Sequence, residues 1–143
     1  MTEQGAVEAA NEALYRAFET GDLDLMSAVW DRGDEVVCVH PGWPMLRGRD
    51  RVLRSWALIM ANTSYIQFFL TDVACSVRGE VAVVTCTENI LTARDQDPAT
   101  EMQAGRVAAT NLFVRRDGQW ALTLHHGSPV AAEAPLIDSG EPA

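Results

Sequence analysis

Apolar positions change their spacing near residue 64. Before it they recur at helical intervals, and after it they fall in long runs rich in Val, Thr, Phe, Ile and Leu. Residues 4–20 carry Val7, Ala10, Leu14 and Phe18 as a helical stripe, and Gly21 supplies the residue type that most often ends a helix. Asp22 is placed to cap a second short helix bearing Leu23, Met26, Val29 and Trp30. A turn at 31–34 leads into a strand at 35–40, which Pro41 stops. A third helix is expected over about 49–62, with Val52, Leu53, Trp56, Ile59 and Met60 on one face and Arg49, Arg51 and Arg54 on a solvated one.

Four strands follow, at about 64–77, 81–94, 103–116 and 119–127. Gly79 marks the first turn and Asp-Gln-Asp-Pro (95–98) a longer connection. Asp117-Gly118 is a strong two-residue hairpin signal. The expected domain is 1–129, and the Ala, Pro and acid of 130–143 read as a poorly ordered tail. Helices followed by a strand meander predict an α+β fold, a curved antiparallel sheet wrapped around three N-terminal helices and enclosing a cone-shaped pocket.

Charge narrows the partners. The net charge of −9 argues against nucleic acid and anionic membranes, both of which require basic patches. All eleven basic residues are Arg, which fits a GC-rich, bacterial genome and leaves no lysine for Schiff-base chemistry. Cys38, Cys75 and Cys86 form no metal or disulfide spacing and read as buried thiols in a reducing cytoplasm. The N-terminus has no apolar signal core, and no apolar run approaches the ~20 residues of a membrane span.

The chemistry-bearing residues begin with His40. An apolar strand delivers this imidazole to its end, where it serves either as a general base or as a hydrogen-bonded strand closure. The Asp117-Gly118 turn sets a register in which Phe113 pairs Leu122, Asn111 pairs Leu124 and Ala109 pairs His126. Phe113, Asn111, Trp120, Leu122, Leu124 and His126 then face the cavity, and His125 faces outward. On the strand at 81–94, Val84, Cys86, Glu88 and Ile90 share one face and Val83, Thr85, Thr87 and Asn89 the other, and either suits the interior. Facing inward, the Glu88 carboxylate must be paired, protonated or solvated by a cavity; facing outward, it is an exposed sheet residue. Asn111 reads as an orienting donor. Trp30, Trp43 and Trp56 read as core and cavity wall, suited to a flat apolar ligand, and Tyr15 as helix surface or pocket rim.

Gly21-Asp22, His40-Pro41 with Gly48, and Asp117-Gly118-Gln119-Trp120 leading into His125-His126-Gly-Ser-Pro make the chain resemble the nuclear transport factor 2-like superfamily. Within it the chain is similar to the SnoaL-like and ketosteroid-isomerase-like branch, over about residues 5–129. The resemblance implies a homodimer formed through the outer sheet face. It also implies correspondences with the steroid isomerases: their aspartate base falls at His40, their oxyanion-hole tyrosine at Leu14, and their protonated acid near Asn111. With all three changed, steroid isomerisation itself is not expected, whereas related proton transfer is.

Three functions follow. The first is a proton-transfer enzyme of isomerase, cyclase or dehydratase type, acting on a small apolar or polycyclic carbonyl compound. His40, His126 and Glu88 would be catalytic, and Asn111, Trp43, Trp56, Phe113 and Trp30 would bind substrate. No cofactor is implied, because no phosphate loop or dinucleotide motif occurs. The second is a non-catalytic binding or dimerisation module. The third, a metal site of His40, His126 and Glu88, has no supporting ligand spacing.

Overall fold

The computed structural model describes residues 2–93 and 102–131. The expected connection at 95–98 and nearly all of the tail lie outside them. Three helices come first, α1 (Glu3–Thr20), α2 (Leu23–Val29) and α3 (Arg49–Ala61). Gly21 ends α1 in the left-handed region at φ 65°, and the Asp22 carboxylate accepts the Leu25 N–H at 2.9 Å to start α2. The strands are β1 (Val37–Val39), β2 (Leu46–Arg47), β3 (Tyr65–Arg78), β4 (Val81–Ala93), β5 (Gln103–Arg116) and β6 (Gln119–Pro129). They form one curved, unclosed sheet in the order β2-β1-β6-β5-β4-β3, in which β1 pairs parallel with β6 and the other named strands pair antiparallel.

The core lies between the helices and the inner sheet face. Val7 and Leu14 of α1 meet Val84, Phe113 and Leu122 of the sheet there, with Met26 and Trp30 beside them. Burial alternates along β4, so Ala82, Val84, Cys86 and Glu88 face inward. Arg49 is not part of a solvated face. Its guanidinium donates to the carbonyls of Ser27, Trp30 and Asp31 at 2.8–2.9 Å, tying the end of α2 to the start of α3. Arg54 does face solvent, paired with Asp50.

The β5–β6 hairpin begins in the expected register. Asp117 and Gly118 both adopt positive φ, and Arg116 faces Gln119, Arg115 Trp120 and Phe113 Leu122. The register then shifts. Leu112 faces Leu124, so Thr123 is an extra residue on β6. This bulge reverses the side-chain alternation beyond it. Asn111 therefore pairs His125, and Thr110 pairs His126. His125 points inward and is 3% exposed, while His126 is exposed on the outer face. The expected facing of the two histidines is thus inverted.

A close approach completes the rim. A Cβ on Gly127 would lie 3.0 Å from a Val107 methyl and 3.1 Å from the Pro41 ring, so any larger residue would have to push these side chains aside by a few tenths of an ångström.

Candidate functional site

A cavity of about 230 Å³ opens between α1, α3 and the inner sheet face. Its polar lining comes from Tyr15, His40, Glu88 and His125, and its apolar wall includes Leu14, Phe18, Trp56 and Phe68. Among the described residues no arginine reaches the lining. Trp43, 37% exposed, stands at the mouth.

Strand β1 delivers His40 to this wall, as expected. Its Nε2 lies 2.8 Å from the Ser55 hydroxyl, which donates its own hydrogen to the Val52 carbonyl at 2.6 Å. The hydroxyl is therefore the acceptor, and His40 carries its proton on Nε2. Nδ1 keeps the lone pair. Trp43 and Trp56 meet the ring edge-on at 5.0 and 4.6 Å. Burial lowers the imidazole from 6.5 to about 4, so it is neutral at physiological pH. The Trp56 indole N–H has no well-directed partner among the described residues, although the Cys38 thiol lies beside it.

Across the cavity a hydrogen-bonded chain links four elements. The Tyr15 hydroxyl of α1 donates to Glu88 Oε2 of β4 at 2.7 Å. The Asn111 amide of β5 donates to the Tyr15 oxygen at 3.1 Å and to Asn11 Oδ1 at 2.8 Å. With its NH₂ committed, Asn111 turns Oδ1 to His125 of β6, whose Nδ1–H donates at 2.5 Å. His125 Nε2 is left as a lone pair. Burial lowers His125 to about 3, and the neighbouring His40 and His126 push in the same direction. Burial raises Glu88 from 4.5 to about 7, and the Tyr15 bond partly opposes that rise. Tyr15 itself is pushed well above its usual value, first by burial and then by the adjacent carboxylate. An amide sits in the middle of this chain and does not readily pass protons. The chain therefore positions Glu88 and His125 rather than connecting them as a proton wire.

Near neutral pH the site thus offers one carboxyl group close to half-protonation and two neutral imidazoles of fixed tautomer. Such a set accepts and returns a proton at a bound compound with little driving-force penalty.

The expected site residues are only partly brought together. His40, Glu88, Trp43 and Trp56 line the cavity. Asn111 is fully buried behind it and reaches it through Tyr15 and His125. Phe113 and Trp30 are core residues, with Trp30 bridged to Leu122. His126 is on the opposite face, so the set His40, His126 and Glu88 is not assembled at one place. Tyr15 and His125 were missed. Tyr15 is neither surface nor rim but 5% exposed. Its signal was available, because Val7, Asn11, Leu14, Tyr15 and Phe18 follow one helical face at i, i+4, i+7, i+8 and i+11. No local signal marked the bulge that turns His125 inward.

Comparison with known proteins gives consistent matches. Residues 7–133 match the model of the SnoaL-like domain. A Streptomyces avermitilis structure of the NTF2-like family, carrying a provisional dehydratase assignment, is 49% identical. It superposes with a TM-score of 0.83, covering 90% of this chain and 97% of that one. A Thiobacillus denitrificans structure, provisionally assigned as a calcium/calmodulin-dependent protein kinase type II association domain, is 31% identical. Its TM-score is 0.74, over 87% and 94% of the two chains. The F-box protein SKIP8 of Arabidopsis thaliana is 23% identical over 123 residues, 86% of this chain. The chain spans about half (49%) of that relative's length.

Proposed function

The chain belongs to the SnoaL-like domain family, and from that premise we propose that it is a cofactor-independent enzyme moving protons on a small carbonyl compound. The reaction is of isomerase, cyclase or dehydratase type. One observation carries this reading: a carboxyl group facing an apolar cavity, held by a tyrosine at 2.7 Å and raised to about 7. A proton-transfer group works best when its pKa lies near the working pH. Glu88 meets that condition better than His40, whose neutral ring is a weaker base held by Ser55. Glu88 is thus the principal acid/base, with His40 and His125 as neutral acceptors that orient the substrate. The provisional dehydratase assignment of the Streptomyces relative favours elimination. In that reaction ionised Glu88 takes the proton from the carbon α to the carbonyl, and the released electron pair forms the C=C bond. The β C–O bond breaks, and Glu88 returns its proton to the departing hydroxide, so water leaves and the carboxylate is regenerated.

The cavity volume lies below the roughly 300–1,000 Å³ of drug-sized sites, which favours one or two rings over a polycyclic frame. The test is α-proton exchange of cyclohexanone and 1-indanone in D₂O, followed by proton NMR. Exchange faster with the native chain than with Glu88→Gln supports the proposal. Equal rates with native chain, variant and buffer overturn it.

A binding or dimerisation module is the second reading. The Thiobacillus relative's association-domain assignment and the half-exposed Phe69 and Val73 on β3 favour it. The homodimer remains part of both readings, to be checked by sedimentation. The three unpaired thiols suit the reducing cytoplasm. Among the described residues no helix is long and apolar enough to cross a membrane.

A further inference from the structure

Among the described residues Glu88 has no cationic partner. It is 4% exposed, Tyr15 is its one bonded neighbour among the described residues, and that bond occupies only Oε2. Its cross-strand neighbours, Leu70 on β3 and Val107 on β5, are apolar. The titratable groups that face it are Tyr15 from α1 and Cys86 from its own strand, with His40 and His125 elsewhere on the cavity lining. None of these supplies a positive charge near neutral pH. The imidazoles are held neutral, and each keeps one lone pair. Around them stand the rings of Tyr15, Phe18, Trp43, Trp56 and Phe68. Aromatic faces attract cations and tolerate neutral rings, whereas an anion has nothing to meet it here. Burying an unpaired anion beside a carboxylate carries a heavy penalty.

We propose that the cavity selects small ring compounds that are uncharged or cationic, directs any hydrogen-bond donor they carry at Glu88, and rejects carboxylates and phosphates. This rests on the reading of the cavity as the substrate site and adds the sign of the substrate's charge. The chain's net charge of −9 acts in the same direction, enriching cations and depleting anions near the protein.

Three matched probes test it by calorimetric titration of the full chain: benzylamine, benzyl alcohol and benzoate. Benzylamine and benzyl alcohol should bind, and benzoate should bind more than about tenfold more weakly. Between pH 6 and 8 benzylamine should tighten severalfold as Glu88 loses its proton, while benzyl alcohol stays within about twofold. In Glu88→Gln the advantage of the amine over the alcohol should vanish. If that variant does not fold, the pH dependence of the native chain still decides the matter. Benzoate binding as tightly as benzyl alcohol overturns the charge selection and leaves the ketone-exchange result standing. Failure of all three probes overturns both this inference and the assignment of the cavity as the substrate site.

Discussion

The two sides of the cavity hold their polar groups by different means. On one side His40 has a single strong hydrogen bond, to a hydroxyl one helix away, and is otherwise wedged between indoles. On the other, Glu88 and His125 hang from a chain of bonds spanning α1, β4, β5 and β6. Burial drives both sides toward neutrality, but in opposite senses: it raises the carboxyl and lowers the imidazoles. The contrast shows how one desolvated space can keep an acid and two bases uncharged together. It also predicts that the networked side is the costlier one to disturb.

Breaking the network should have the largest effect. Asn111→Leu leaves the His125 Nδ1–H, Asn11 Oδ1 and the Tyr15 oxygen without their partner, and should cost about 3–5 kcal/mol in urea unfolding. A loss below about 1 kcal/mol would mean that the chain of bonds is incidental. On the other side, Ser55→Ala strands only the His40 Nε2–H and should cost about 1–2 kcal/mol.

The pH response separates the sides further. The stability from Glu88 is fully present below about 4.5 and is lost as pH rises through about 7. That from His40 and His125 is present above 6.5 and is lost as pH falls through about 4 and about 3. From pH 6 to 8 the loss at Glu88, about 1 kcal/mol, is offset by the gain at the two histidines, so the native chain should hold a nearly constant stability. Glu88→Gln keeps only the histidine gain and should become more stable by about 1 kcal/mol or more over the same range; a variant as flat as the native chain would show that Glu88 does not titrate there. Tyr15→Phe removes the bond that holds Glu88 down. It should move the Glu88 titration, read by carbon-13 NMR of the carboxyl, to higher pH; a downward movement would contradict the described geometry.

The smallest effect is expected at His126. Replacing this exposed residue by Ala should change stability by no more than about 0.5 kcal/mol, whereas His125→Ala should cost several times that. Equal costs would contradict the bulge at Thr123.

Much of the scaffold was legible because its signals are local. The αL glycine after α1, the Asp22 cap, the helical stripe of α3 and the Asp117-Gly118 turn each act within a few residues. Alternation along β4, which carries no bulge against β5, put Glu88 on one face with Val84 and Cys86 but left open whether that face was the inner one; the structure turns it inward. Alternation failed on β6, where one extra residue moved every later side chain to the other face. That placement comes with the parallel pairing to β1, which sets Cys38 opposite His125, 87 residues later in the chain. The Tyr15 reading failed differently, because the apolar stripe was drawn too narrowly and omitted Asn11 and Tyr15 from its face.

By itself, then, the sequence determined the order and type of the elements, the family resemblance, and the placing of His40 at the end of its strand. These depend on backbone preferences and on period, which short stretches of chain carry intact. Only the tertiary structure decided which histidine of the 125–126 pair enters the cavity, and that Tyr15 and Asn111 hold the carboxylate and that imidazole in place. A bulge and a buried hydrogen-bond chain are settled by surfaces that meet after folding, where each polar group must find its partner in space rather than along the chain.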